Sequence, residues 1–298
     1  MPLRLAVATE NLNSNLKRAI ALATNGSTDG VQLNSRHELE QANASESSLR
    51  QIRLYVTERE MKVASLFCPT RHALYADEFL EPRLDIIRKS MSIARTLQTD
   101  HVIVKCGNIP NPNQDTQPSQ QSSSAQPDLD ANPFSLGSAP KPPVGMTPAE
   151  RFQMLVDILN DLTRHGNHVG CRLSLLLPNY QRDLVGNLLK KVTNGPISIA
   201  FDPASAELSG ESSVDTFRDL YSQVSYLRAR DTMTNSDGGG EEVPIGSGVV
   251  DWLQLIPTLA EADFDGWVSV HQKGGPEIAE SCLAGVSHLR DLFPRNPV

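Results

Sequence analysis

Eight short apolar runs, most of them separated by helix-like stretches, constrain the fold more than any other feature of the chain. They cover residues 3–8, 31–34, 62–67, 102–106, 173–177, 197–201, 226–229 and 267–270. Short runs with nearly continuous apolar character read as strands buried on both faces. Between them, Leu49, Ile52 and Val56, and then Leu84, Ile87, Met91 and Ala94, recur at three- and four-residue spacing, the period of a helix with one apolar face. Residues 15–24, with Leu16, Ala19, Ile20 and Ala23, read the same way. Thr147-Pro148-Ala149-Glu150 opens another helix with a Thr cap, a Pro at the first turn and a Glu three residues after the cap. Helices are also expected from Asp251 to Ala262 and over 276–292. Strands alternating with helices imply βαβ units and a parallel sheet. Eight such units predict a (β/α)8 TIM barrel in one domain spanning 1–298. An open doubly wound sheet is the other candidate, but no GxGxxG follows the first run, where the chain reads ATENLNSN.

Residues 108–146 break the pattern. This stretch is rich in Ser, Gln and Asn, holds 8 Pro and is nearly free of aliphatic side chains. It cannot bury enough apolar surface to offset the entropy of ordering, so it is expected to be a disordered Pro/Ser/Gln-rich insertion after strand 4. Outside it the chain is close to ordinary barrel length. Apolar residues make up 39% of the chain, and the insertion lowers that figure slightly. The formal net charge of −8 argues against nucleic acid as a partner, because phosphate binding calls for a basic surplus. Four scattered cysteines without CxxC or zinc spacing favour free thiols in a reducing, cytoplasmic setting. The first residues lack the pattern of a secretory signal, and no run approaches the ~20 apolar residues of a membrane span.

In a TIM barrel the carboxyl ends of the strands carry function. Those ends read Asn34 with Arg36 and His37; Cys68 with Arg71 and His72; Lys105; Asn179; Asp202; Arg228 with Arg230 and Asp231; and His271 with Lys273. Cations dominate, although the chain as a whole is acidic. Side chains alternate across a strand, so Leu227 and Ala229 facing the helices turn Tyr226, Arg228 and Arg230 toward the barrel axis. By the same rule Ser269, His271 and Asp202 point inward. Arg228, Asp202 and His271 are thus expected to share one space. One reading is an internal ion pair between Asp202 and either arginine. The other is an anion site, since guanidinium forks bind carboxylate or phosphate bidentately. Gly238-Gly239-Gly240 and Gly246-Ser247-Gly248 match a phosphate cradle in composition only and are expected to be loop glycines. No GxSxG supports a serine triad, and Cys68 reads as a buried structural thiol.

The segment EVPIGSGVVDWLQLIPTLAEADFDGWVSVHQ (242–272) resembles the last βα unit of the xylose-isomerase-like TIM barrels, a superfamily of sugar isomerases, sugar-acid epimerases and endonuclease IV. FDPASAEL (201–208) and YLRARD (226–231) are similar to its strand 6 and strand 7 segments, and ASLFCPTRHAL and IVKCGNIP are weaker matches. The resemblance implies a divalent metal, Mn, Mg or Zn, held by Glu, Asp, His and Glu on strands 5 to 8. Here those positions carry Leu176 or Leu177, Asp202, Arg228 (with Tyr226 where another His commonly sits) and His271. Hard cations need several anionic oxygens. An arginine 4 Å from a dication would cost roughly 8 kcal/mol at an effective dielectric of 20. The expectation is therefore a divergent, metal-free member that binds a small anionic carbohydrate-like ligand, with catalysis reduced or lost. Arg228, Arg230 and Lys105 would supply charge, His72 and Asn34 would line the mouth, and Asp202 would orient an arginine or a hydroxyl. His271 would be the general base of any remaining chemistry. Two alternatives stand beside it. One is an active metal-dependent isomerase or epimerase using His72, Asp202 and His271. The other is a protein-interaction module that uses the 108–146 insertion.

Overall fold

The computed structural model describes residues 3–40, 45–114, 145–234, 240–272, 274 and 277–292. Strands β1 (Arg4–Ala8), β2 (Gly30–Asn34), β3 (Lys62–Cys68), β4 (His101–Lys105), β5 (Arg172–Leu176), β6 (Ile197–Phe201) and β7 (Val224–Ala229) follow one another in the chain. A short antiparallel hairpin, β8 (Asp231–Thr234) and β9 (Gly240–Val243), comes before β10 (Trp267–Val270). Strands β1 to β7 and β10 close into an eight-stranded parallel barrel in the order β1-β10-β7-β6-β5-β4-β3-β2. All eight apolar runs are barrel strands, as expected from the sequence.

The wall is built from helices α1 (Thr9–Leu12), α2 (Leu16–Asn25), α3 (Glu46–Thr57), α4 (Leu80–Leu97), α5 (Pro148–Val169), α6 (Arg182–Lys191), α7 (Pro203–Leu208), α8 (Ser213–Leu220), α9 (Trp252–Glu261) and α10 (Ile278–Leu292). The capping box at α5 forms as its sequence suggests: Thr147 Oγ1 accepts from Glu150 N at 3.2 Å and Glu150 Oε2 accepts from Thr147 N at 2.7 Å. Helices α6, α7 and α8, the π-helical turn Ser35–Glu40 and the hairpin were not anticipated. Among the described residues no helix is long and apolar enough to cross a membrane.

Alternation along the strands separates two cores. Leu227, Ala229, Val268, Val270, Ile199 and Phe201 face the helices and join one large apolar cluster. Ala6, Ala64, Phe67, Ile103, Leu176, Ala200, Tyr226 and Trp267 fill the barrel interior. Three of those eight are alanines, which leaves room for Tyr226 to reach across the axis. Its hydroxyl accepts from Gln32 Nε2 at 2.9 Å and from Ser65 Oγ at 3.0 Å. Burial pushes its pKa up to about 12, so it serves as a neutral hydrogen-bonding group.

Residues 115–144 of the expected insertion lie outside the described residues, as do Lys273 and Gly238-Gly239. The stretch just before them is anchored. Asn108 O accepts from Tyr75 OH at 2.9 Å, Asn108 Oδ1 accepts from Asn179 Nδ2 at 3.1 Å, and Ile109 is buried. The insertion therefore departs from the loops at the carboxyl end of the barrel, the end where sites are built.

Asp231 organises the loop that follows the hairpin. Its Oδ1 accepts from Thr232 N at 2.9 Å and Val250 N at 3.2 Å. Its Oδ2 accepts from Gly246 N at 2.9 Å, Gly248 N at 3.2 Å and Trp252 Nε1 at 3.1 Å. Gly246 sits at φ +86°, and a Cβ on Gly248 would collide with Asp231 Oδ1, so both glycines are required by this cradle. Asp231→Ala strands these five donors in a buried setting. Urea unfolding should show a loss of roughly 3–5 kcal/mol.

Candidate functional site

The carboxyl ends of β6, β7 and β10 bring four charged or polar side chains into one buried space. Asp202 follows β6 and is 1% exposed. Its Oδ1 caps α7 by accepting from Ser205 N at 3.2 Å, and its own amide donates to Tyr180 OH at 2.8 Å. Its Oδ2 accepts from Arg230 Nε at 2.7 Å. Arg230 also lies 3.9 Å from Glu242 on β9 and donates to Ser205 Oγ at 3.3 Å. Of the two ion pairs open from sequence, Asp202 with Arg230 is the one that forms. Arg230 is thus held between two buried carboxylates.

Arg228 is different. It is 5% exposed, its Nε is enclosed without a hydrogen bond, and it makes no ion pair among the described residues. Its guanidinium lies 5.5 Å from the ring centre of Phe67 on β3, the strand diametrically opposite in the barrel. The side chain therefore spans the interior above Tyr226. A cation–π contact is worth up to about 2 kcal/mol. Withdrawing a guanidinium from water with no counter-charge costs several kcal/mol. The contact with Phe67 falls short of that cost, so among the described residues Arg228 stands without an ion-pair partner. His271 stands beside it, 2% exposed, its amide bonded to Ala229 O at 2.9 Å and its Nε2 3.4 Å from Ser269 Oγ.

The remaining expected residues lie at other strand ends. Lys105 ends β4 and is half-buried, with its carbonyl accepting from Thr70 Oγ1 at 3.4 Å. His72 lies in the loop after β3, half-buried, with Nδ1 enclosed and unbonded. Asn34 ends β2 with three of its amide's four hydrogen bonds made. Oδ1 accepts from Arg36 N at 3.1 Å and His37 N at 3.0 Å, and Nδ2 donates to Glu10. These bonds fix the start of the π-helical turn.

The residues do not fit the divalent ion that the family resemblance implies. Leu176 sits inside the barrel at the strand 5 position, Arg228 occupies the strand 7 position, and Asp202 is committed to Arg230 and to the start of α7. Among the described residues no three His, Cys, Asp or Glu side chains gather into a metal-holding group, and His72, Asp202 and His271 do not form one. A cleft of about 310 Å3 opens on the flank between α6 and α8, next to Tyr180. It carries Glu211 and Asp215, and its Arg182 is paired with Asp219 at 2.8 Å, so its charge is wrong for an anion. The unsatisfied chemistry is at the barrel mouth.

Sequence reasoning missed Glu38. It lies in the π-helical turn, and its Oε2 accepts from Thr9 Oγ1 at 2.8 Å and Asn34 N at 2.6 Å. Burial raises its pKa from 4.5 to about 7, the two hydrogen bonds oppose the shift, and nearby Glu10 adds to it. No local signal marks this group, because Thr9 is remote in sequence. The fold thus holds the proton on Glu38 up to near neutral pH, whereas the unfolded chain releases it near 4.5. Its contribution is full below pH 4.5 and is lost as the pH rises through about 7. Glu38→Gln keeps the acceptor and removes the titration. The variant should match the parent in thermal stability at pH 4 and exceed it at pH 8, by no more than about 3 kcal/mol.

Comparison with known proteins bears on the whole barrel. A family model described as Xylose isomerase-like TIM barrel matches residues 20–292. No curated protein matches the sequence. Among solved structures, a xylose isomerase domain protein from Planctomyces limnophilus aligns with a TM-score of 0.72 at 15% identity, over 98% of this chain and 97% of that one. D-psicose 3-epimerase from Clostridium cellulolyticum H10 aligns with a TM-score of 0.73 at 9% identity, over 98% and 100%. The 3-keto-D-glucoside 4-epimerase of E. coli gives 0.69 at 12%, over 97% and 99%. Identities this low speak for the fold, and the family match speaks for descent: the chain belongs to the xylose isomerase-like TIM barrel family.

Proposed function

We propose that this barrel binds a small anionic carbohydrate derivative, a sugar acid or sugar phosphate, at the carboxyl end of β7, without a divalent metal and with reduced or lost catalysis. The observation that carries this reading is Arg228, a buried guanidinium with an unbonded Nε and no counter-charge among the described residues. A ligand anion supplies the missing charge, and the low-dielectric wall strengthens the contact. Arg230 and Asp202 form the rigid side of the pocket, and Tyr226 forms its floor. Proton transfer by a carboxylate pair, the chemistry implied by the family resemblance, has no counterpart here, since Leu176 and His271 stand at those positions. His271 is the group left to move a proton in any residual reaction. All four cysteines are buried, which suits a reducing, cytoplasmic setting.

Titration calorimetry against a panel of sugar acids and sugar phosphates tests the proposal. Binding should persist in excess EDTA and weaken by about tenfold or more in Arg228→Ala, the loss expected for a charge-assisted hydrogen bond. Affinity that vanishes with EDTA, or that survives loss of the guanidinium unchanged, would overturn it.

A further inference from the structure

Resting on the anion site just proposed, we infer that its ligand is a hydroxylated carboxylate rather than a phosphate monoester. Three features of the fold lead to this choice.

The first is charge. Arg230 and Arg228 are the two buried arginines at the mouth. Arg230 is already held by Asp202 at 2.7 Å and lies 3.9 Å from Glu242. Arg228 is left without an ion pair among the described residues, and the four groups together carry no net charge. A carboxylate brings one negative charge, whereas a phosphate monoester brings about 1.5 to 2 at neutral pH. The excess would sit next to two buried carboxylates, where like charges in a low dielectric repel strongly.

The second is the glycine-rich loop after the hairpin. In barrels of this architecture the loops after the last two strands commonly bind phosphate through backbone amides. Here Gly246, Gly248 and Val250 donate those amides to Asp231. The protein's own carboxylate fills the position a phosphoryl group would need.

The third is the orphaned atom itself. The unbonded donor of Arg228 is Nε, the inner edge of the guanidinium. Nε–H together with one Nη–H forms the side-on fork that a planar carboxylate fills with both oxygens. Gln32 adds a matching acceptor. It is 3% exposed, donates through Nε2 to Ser65 Oγ at 2.8 Å and Tyr226 OH at 2.9 Å, and keeps Oε1 buried without a hydrogen bond. A hydroxyl on the ligand can donate to that oxygen while the carboxylate meets Arg228.

The experiment uses the full chain and matched probes: gluconate, glucuronate and xylonate against glucose 6-phosphate, glucose 1-phosphate and xylulose 5-phosphate, at constant ionic strength. At least one acid should bind tenfold or more tightly than its phosphate counterpart. Arg228→Lys, which keeps the charge and loses the fork, should weaken that acid by about tenfold or more while leaving phosphate affinities within a factor of about three. Arg228→Gln serves as a second variant, and circular dichroism and melting curves establish that both fold. Phosphates that bind as tightly as the acids, or more so, and depend on Arg228 would overturn the carboxylate assignment and leave the anion site standing. Failure of both series to bind would overturn the anion site itself.

Discussion

Arg230 sits between Asp202 and Glu242, and this pairing decides what the rest of the barrel mouth can do. The contact with Asp202 is 2.7 Å and both partners are almost fully buried. Breaking such a pair leaves a charge stranded in low dielectric, so each partner is locked in place by the other. Asp202 is further committed to the first turn of α7 through Ser205 N. It is therefore unavailable as a ligand to a cation. The same two-residue period that turns Arg230 inward also turns Arg228 inward, one step deeper. With Arg230 held by Asp202, Arg228 is the inward arginine without an ion pair among the described residues.

The family resemblance implies carboxylates and an imidazole where Leu176, Arg228 and His271 stand, and such an exchange touches only the inward face of each strand. The apolar layer against the helices is indifferent to the exchange, because Leu227, Ala229, Val268 and Val270 continue to face that layer. Chemistry at the strand ends can thus change without a penalty in the core.

Much of this was legible in the chain because the relevant signals are local. Buried parallel strands appear as apolar runs, and all eight were visible. The Thr147–Glu150 capping box is a four-residue signal and formed as read. The inward direction of residues 226, 228 and 230 follows from strand parity alone. What escaped was set by contacts between distant segments or by weak patterns. The choice of Arg230 over Arg228 as the partner of Asp202 depends on side-chain rotamers across two strands. Glu38 owes its proton to burial, against the opposing hydrogen bonds from Thr9 and Asn34, and that burial leaves no mark in NSRHELE. Asn34 ends a strand, as a site residue would, yet its amide is used by Arg36, His37 and Glu10. The hairpin was invisible because Asp231–Thr234 and Gly240–Val243 are short, polar and partly exposed, with no apolar alternation to read.

Asp231 shows why composition alone misleads at such loops. Gly246-Ser247-Gly248 has the flexibility and close-approach glycines of an anion cradle, and it is one. The anion is internal. A carboxylate 15 residues before Gly246 gathers the amides and an indole N–H into a fixed shell, and no Cβ fits on Gly248 because that carboxylate is there. Backbone amides aimed at a point are therefore not sufficient for phosphate binding, since the same geometry serves structure once an acidic side chain reaches it. In this barrel the distinction separates two buried carboxylates with opposite consequences. Asp231 fills the cradle around it, and Asp202 takes Arg230 and leaves Arg228 without an ion pair among the described residues.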